Sequence, residues 1–574
     1  MKNFIKYLQL KTRLKFLEQL KNCRRHLSDK FACILEMSMI NKLQVLLSQK
    51  KVSIVIILLA IAARIVLQLC FFDISGDRSY QLVAAKSFID GYGFSVRQVL
   101  PNDLSKQIYL PLVGWPPGYS LFLVPLYYLC GKSIIGAAYL FEVICAAAFV
   151  LITRKLLQLL NLRLWLLNIY TIVSGFFIYD FAAASSTDFP TLILFLSGLC
   201  CIVLSLKKDK PPGFGMVAGF LLFTCILTRY MYAPVVLPAA LYLLYAGYLE
   251  KNKRLRKSGY YCAATFLLFT AGLFFYQKYF TGSAVYINSP NKGFYPEHIL
   301  RTNPVLFTPF IELQVLCTNL MAIFKWDYVK QLEIIGLVHL VPLIVVLIAS
   351  ISFLMKNFSA KKSPVAHYLY LGIVSCLSLI FLLMALSLTH APELSLYNTT
   401  WTFVQEPRYY AFAVVFIHQL IFIYLFNSAT KALSKSRLLI TCIVILFSIQ
   451  FLHGFYFATK QITTKKTLLT PQTKTNRSFE YLYFTIDSLQ HRHPDKEVIT
   501  ISQDVTFPNL AVLNDRKALY NTDFINNIPA SCKGSIFLVV LESAAMPEFK
   551  NFLEQPGVKL LYNTHRYYFF MLET

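Results

Sequence analysis

From about residue 52 to residue 457 the chain alternates long uncharged apolar runs with short basic strings. Each run is close to the 20 residues that cross a bilayer as a helix. The first covers about 52–72. Others lie near 133–153, 164–181, 189–206, 213–228, 232–249, 258–276, 337–355, 368–389, 409–427 and 438–457. The pattern predicts a polytopic α-helical membrane protein of about eleven spans. Between the runs stand RKLLQLLNLR (154–163), KKDK (207–210), EKNKRLRK (250–257), KNFSAKK (356–362) and KALSKSR (431–437). All of these fall on one side of the thread, which the positive-inside rule makes the cytoplasmic side. The other side carries the loops 73–132, 277–336 and 390–408, a short turn around 182–188, and everything after about 458. Long loops in a compact protein tend to be functional, so the chemistry is expected on that outer face.

The pattern changes outside this region. Residues 1–51 form a basic cytoplasmic segment in which KYLQLKTRLKFLEQLKNCRRHL reads as an amphipathic helix on the inner membrane surface. It lacks the apolar core and cleavage site of a signal peptide, and Met37 or Met39 is an alternative start. Residues 458–476, rich in Thr and Lys, read as a linker. Within 477–574, EVITIS (497–502), SIFLVVLES (535–543) and YYFFMLE (567–573) read as strands. RSFEYLYFTIDSLQHR (477–492) and MPEFKNFLEQ (546–555) read as helices. The alternation predicts a small extracytoplasmic α/β domain with a partly parallel sheet. It has no GxGxxG or P-loop pattern, so it is expected to support the membrane part or dock an acceptor, without a cofactor of its own.

Composition narrows the picture. Of 574 residues, 56% are hydrophobic and 15% charged, too little polar surface for a soluble protein of this size. The net charge of +26 would suit a nucleic-acid partner. The basic residues, however, are spent in the strings between spans, and no basic patch with interleaved aromatics lies outside the membrane. No nucleic acid is expected; membrane lipids are. The 13 cysteines fall mostly inside apolar runs, with no CxxC or Cys/His spacing that suggests zinc or a disulfide framework.

Candidate chemistry gathers on the outer loops. Asp77, in SGDRSY, follows the first span and heads a stretch of helical periodicity with Tyr80, Val83, Ala84, Ser87 and Phe88 on one stripe. DGYGF (90–94) ends that helix with two glycines. Asp is a favoured N-cap, and capping would not exclude chemistry. GWPPGYSLFLVPLYYLCG (114–131) follows, a rigid turn and a short aromatic helix suited to the interface.

This order of features resembles the C-type (GT-C) membrane glycosyltransferases, in particular the branch of protein O-mannosyltransferases and lipid A aminoarabinose transferase. The resemblance covers most of residues 52–430 and implies a GT-C-like transmembrane catalytic domain over 52–457. It implies a polyprenyl-phosphate-linked sugar as donor, a lipid, glycan or protein as acceptor, and inverting transfer at the outer face of the cell (inner) membrane. Asp77 matches the family's first-loop acid, its catalytic base. ASSTDFPTLILF (184–195) matches a second acidic position and puts Asp188 in the site. LTRYMYAPVVLP (227–238) and EPRYYAFAVVF (406–416) place Arg229, Arg408 and Tyr409 at outer ends of spans. Trp115 stands where some relatives carry a lysine, so the donor's phosphate must find other cations. DR at 77–78, where several relatives have DE, weakens the case for a bound metal, and a divalent cation is left open.

The chemistry asks for the same residue types. Inverting transfer needs a carboxylate to take the acceptor's proton as it attacks the anomeric carbon. It also needs cations where negative charge grows on the leaving phosphate, and arginine meets phosphate oxygens bidentately. Asp77 is the expected base, with Asp188 orienting the acceptor or sharing the proton. Arg229, Arg301 and Arg408 are the candidate phosphate ligands, each alternatively an interfacial snorkelling residue. Tyr80, Trp115, Pro117, Tyr119, Glu406 and Tyr409 would line the cavity. No protein-built metal site is indicated. Two other readings stay open: a transporter or flippase, and an O-antigen-ligase-like enzyme. A transporter would place ionisable residues at mid-depth, where the spans are largely free of charge, Glu142 excepted.

Overall fold

The computed structural model describes residues 44–176, 187–282, 363–389, 393–394, 400–401, 411–426, 485–520 and 534–573, with gaps of one to three residues inside these and a few single residues elsewhere. The membrane part opens with α1 (Lys50–Cys70). The first loop then folds as α2 (Gly76–Ile89), a hairpin of β1 (Ser95–Leu100) and β2 (Asp103–Pro111), and α3 (Gly118–Leu129). After it come α4 (Ile134–Leu159), α5 (Leu164–Phe176), α6 (Asp188–Leu206), α7 (Gly213–Thr228), α8 (Ala233–Leu249) and α9 (Lys253–Thr281). Later in the chain are α10 (Pro364–Thr389), the short strands β3 (Glu393–Leu394) and β4 (Thr400–Trp401), and α11 (Ala411–Leu420).

Among the described residues six helices are long and apolar enough to cross a membrane: Lys50–Leu69, Ile134–Leu159, Asp188–Leu206, Tyr230–Leu249, Lys253–Thr281 and Pro364–Leu382. α5, α7 and α11 are shorter apolar helices that fill three more of the predicted spans. The chain is a polytopic helical membrane protein. The span expected at 337–355 lies largely, and that at 438–457 wholly, outside the described residues, as do most of the N-terminal segment and the 458–476 linker.

Arg64 and Glu142 are charged side chains buried within spanning helices, and of these Glu142 was expected. Arg64 of α1 is buried with its guanidinium 5.2 and 5.0 Å from the ring centres of Phe149 and Phe189. A guanidinium is weakly hydrated and packs on aromatic faces, which lowers the cost of burying it. Glu142 of α4 is equally closed off.

The hairpin was not expected. Its strands lack the strict alternation that marks a half-buried strand, because Arg97 and Gln98 separate the two buried valines, Val96 and Val99. α2 ends as read from the glycines: Gly91 and Gly93 have φ of 90° and 67°, and Tyr92 N–H returns to Ser87 O at 2.9 Å.

The C-terminal α/β domain is a five-stranded sheet in the order β6-β5-β7-β9-β8. β5 (Glu497–Ser502) runs parallel to β6 (Lys517–Leu519) and to β7 (Ser535–Glu542). β9 (Tyr567–Glu573) is antiparallel to β7 and to β8 (Val558–Asn563). α12 (Thr506–Leu513) crosses between β5 and β6, while a 3-10 turn leads into α13 (Lys550–Leu553). The three strands read from sequence are present; α12, β6 and β8 are additions.

Side-chain alternation splits this sheet between two environments. Ile499, Ile501, Phe537, Val539 and Leu572 pack with Phe549, Phe552 and, from the first loop, Val99. On the opposite face, Leu538, Val540, Tyr567 and Phe569 pack with Phe507, Leu510 and Ala511 and join the apolar core of the membrane part. The domain thus closes over the loop that carries Asp77.

Candidate active site

Three of the residues singled out from sequence meet. Arg229 Nη1 donates to Asp77 Oδ2 at 3.2 Å and to Thr187 Oγ1 at 3.2 Å. Its Nε lies 3.1 Å from Asp188 Oδ1, an ion pair whose geometry falls short of a hydrogen bond. The helices explain why these residue types stand here. Asp77 lies in the first turn of α2, and Asp188 is the first residue of α6. Both carboxylates therefore sit at the positive ends of helix dipoles. Arg229 follows the last residue of α7, where the chain leaves the helix with φ −155° and ψ 112°, so a cation stands at a helix C-terminus. A 3-10 turn, Tyr230–Tyr232, and Pro234 in the first turn of α8 then restart the helix.

The two acids are not equivalent. The Asp188 side chain is 0% exposed and that of Arg229 7%, whereas Asp77 keeps 21%. Only Asp77 presents a carboxylate that a substrate can touch. Asp188 acts on Arg229 from behind. Asp77 also lies inside the first turn of α2, two positions past the N-cap position.

Residues 77–81 turn to five different partners, as the 100° rotation per helical residue requires. Asp77 meets Arg229. Arg78, fully buried, reaches Glu142 Oε1 at 2.6 Å, with its guanidinium 4.2 Å from the Phe72 ring centre. Gln68 Nε2 donates to the other oxygen of Glu142 at 2.7 Å. Ser79 Oγ accepts from Asn509 Nδ2 of α12 at 2.7 Å. Tyr80 stacks on Trp115 with ring centres 4.7 Å apart. Gln81 donates to Pro116 O at 3.2 Å and accepts from the Ser120 hydroxyl at 2.6 Å.

These contacts assign the PPGY turn its work. Pro117 and Tyr119 are buried beneath the site, Tyr119 edge-on to Phe141. Gly118 is required for close approach: a Cβ there would stand 2.4 Å from the carbonyl oxygen of Leu227, two residues before Arg229. Tyr80 and Trp115 are half-buried and form the aromatic rim.

The C-terminal domain completes the surround. Asp504 accepts from Tyr567 at 2.5 Å, and Tyr520 donates to Asn509 Oδ1. Burial and the charge of Asp504 push the Tyr80 phenol up to about 12, so it keeps its proton and serves as a donor at neutral pH. Lys86 pairs with Asp515 at 2.7 Å, and Arg97 donates to Val512 O at 3.4 Å. Sequence reading missed Arg78, Gln81, Ser120, Thr187, Asp504 and Asn509. Arg301, Glu406, Arg408 and Tyr409 lie outside the described residues.

Among the described residues no group of three or more His, Cys, Asp or Glu side chains gathers to hold a metal ion. The two acids are spanned by one guanidinium, so the donor set as placed fits an arginine and not a divalent cation.

No protein-family model and no curated protein sequence matches the chain. Among solved structures the chain is similar to ArnT from Cupriavidus metallidurans bound to undecaprenyl phosphate. The identity is 12%, with 90% of this chain and 97% of that one covered, and a TM-score of 0.44. It is also similar to the Archaeoglobus fulgidus oligosaccharyltransferase in complex with Zn and sulfate, at 10% identity over 85% and 68% of the two chains, TM-score 0.49. A third similarity is to the same organism's AglB with an inhibitory peptide and a dolichol-phosphate, at 10% identity over 87% and 70%, TM-score 0.44.

Proposed function

We propose that this chain is a membrane glycosyltransferase that moves a sugar from a polyprenyl-phosphate carrier to an acceptor at the outer face of the membrane. The observation that carries the reading is the bridge from Arg229 to Asp77 and Asp188, with Asp77 alone partly open. Two of the similar structures named above hold polyprenyl phosphates, undecaprenyl in one and dolichol in the other.

In this reading Asp77 is the general base. Its carboxylate takes the proton from the acceptor's hydroxyl or amine as that group attacks the anomeric carbon. The bond from that carbon to the phosphate oxygen breaks, the configuration inverts, and the polyprenyl phosphate leaves. Arg229 holds the Asp77 carboxylate in place and is itself held by Asp188 and Thr187. With two carboxylates on one guanidinium the cluster is net negative, so the leaving phosphate is assigned chiefly to Arg408 and Arg301. The Tyr80–Trp115 stack gives the sugar an apolar face to lie against.

A transporter would use the buried charges of the bundle as a pathway. Arg64 is packed between two phenylalanines and Glu142 is saturated by Arg78 and Gln68, which favours an anchoring role for both.

The test is transfer of a labelled sugar from a synthetic polyprenyl-phosphate donor to membrane extract by the purified full chain. Asp77→Asn is expected to insert normally and to lose about a hundred- to ten-thousand-fold in rate, the usual worth of a general base. Asp188→Asn is expected to lower the rate less. Full activity in Asp77→Asn would overturn the assignment of the base, and no transfer by the wild type with any polyprenyl-linked sugar would overturn the class.

A further inference from the structure

At the end of the bundle remote from Asp77, a lateral groove of ≈ 580 Å³ opens between α1, α4, α6 and α7. Ile57, Leu151, Cys201 and Leu221 form apolar walls, while Lys155 and Gln158 stand at its edge in the last two turns of α4. Its volume falls within the range of small-molecule and cofactor sites, roughly 300–1,000 Å³. Both polar residues are exposed, and Leu151 is 47% exposed, so the groove faces outward rather than into the bundle.

Among the described residues two cations border the groove, Arg154 and Lys155, and they differ in their contacts. Arg154 is turned into the bundle, where Nη1 donates to Asn168 Oδ1 at 2.8 Å and Thr171 Oγ1 at 2.6 Å, and Nη2 to Ser53 Oγ at 2.5 Å. It is a structural clasp among α1, α4 and α5. Lys155 makes no hydrogen bond or ion pair with any described residue. A long-stemmed cation beside an apolar groove, at the end of a spanning helix, stands at head-group depth. This end of the bundle also carries Arg163 and Lys207.

We propose that this groove binds one anionic phospholipid from the leaflet at the basic end of the bundle, with an acyl chain along the apolar walls and the phosphate on Lys155. Charge complementarity identifies the occupant. The positive-inside rule assigns this end to the leaflet rich in anionic lipid, and among the described residues Lys155 is the groove's cation without a hydrogen bond or ion pair. Gln158 is placed one turn beyond to donate its amide to the same head group. The inference is independent of the proposed glycosyl transfer, since none of these residues borders Asp77.

The test uses the full chain in detergent, offered phosphatidylglycerol and phosphatidylcholine with identical acyl chains, with retained lipid counted by native mass spectrometry. One phosphatidylglycerol per chain is expected, in preference to phosphatidylcholine. Lys155→Gln should weaken that retention about fivefold, the worth of one lysine at a membrane surface. Cys201→Phe should fill the groove and lower retention of both lipids. Equal retention of the two lipids by the wild type would overturn the proposal, as would unchanged phosphatidylglycerol binding in Lys155→Gln. Lys155-dependent retention of a polyprenyl phosphate in its place would overturn it too. Because Lys155 is exposed, that variant decides the matter even if Cys201→Phe fails to insert.

Discussion

Arg78 and Glu142 form an ion pair of 2.6 Å with both side chains closed to solvent, and it joins the residue after Asp77 to the first half of a membrane-spanning helix. A pair buried this deeply is poor value as a stabiliser, because desolvation offsets most of the attraction. Its use is positional. The carboxylate of Asp77 is placed by a neighbour whose direction is fixed from below.

Breaking the pair from one side leaves a buried charge uncompensated. Glu142→Ala is expected to cost about 3–5 kcal/mol, while replacing both partners by apolar residues of similar size should cost less. The midpoint of thermal unfolding in detergent checks this. Losses from the two single variants that simply add in the double variant would show that Arg78 and Glu142 do not act as a pair.

Gly118→Ala should disturb the site without touching any of its charged residues. The added methyl would press on the Leu227 carbonyl at 2.4 Å and push the end of α7 that carries Arg229. Overpacking of this kind costs about 1–3 kcal/mol. A melting point and a transfer rate that both match the wild type would mean that α3 and α7 yield freely.

Asn509→Ala removes the donor to Ser79 Oγ and the acceptor of the Tyr520 hydroxyl, so both groups must repack. A loss of about 1–3 kcal/mol is expected. Because the bond lies between the C-terminal domain and α2, the readout is faster release of a C-terminal fragment by trace protease. Unchanged release would place the holding force elsewhere, in Lys86–Asp515 and the shared apolar core.

Trp115→Ala tests the rim. On the proposed reading it loses the stacking surface with Tyr80 and raises the donor KM, with an effect of about tenfold, while kcat changes less. A fall in kcat alone would instead make Trp115 a support for the turn below it.

Much of this molecule could be read before its structure. The spans declare themselves because lipid demands long uncharged runs, and Asp188 and Arg229 were visible as charges at the ends of such runs. The helix after Asp77 showed its period and its glycine stop. What stayed hidden depends on pairing across the chain. Arg78 in a loop looks like a surface charge until Glu142, 64 residues away, is brought against it. β6 has only three residues and β8 is an exposed edge strand, so neither carries a pattern strong enough to read. α12 has Pro508 in its first turn, which reads as a break yet is a tolerated helix start. The hairpin is stabilised by Val99 inside another domain's core, and no local rule reports that.

That burial of Val99 has a consequence for how the protein is made. The first loop leaves the ribosome hundreds of residues ahead of the sheet that covers it, and the Asn509–Ser79 bond closes a separation of 430 residues. During synthesis the loop must wait beside the membrane with an exposed apolar side chain and an unfinished wall. Only a chain translated to its last strands can shut the surround of Asp77. A truncated product would therefore carry every charged residue of the Arg229 cluster and still lack the wall that the C-terminal domain lends to the first loop.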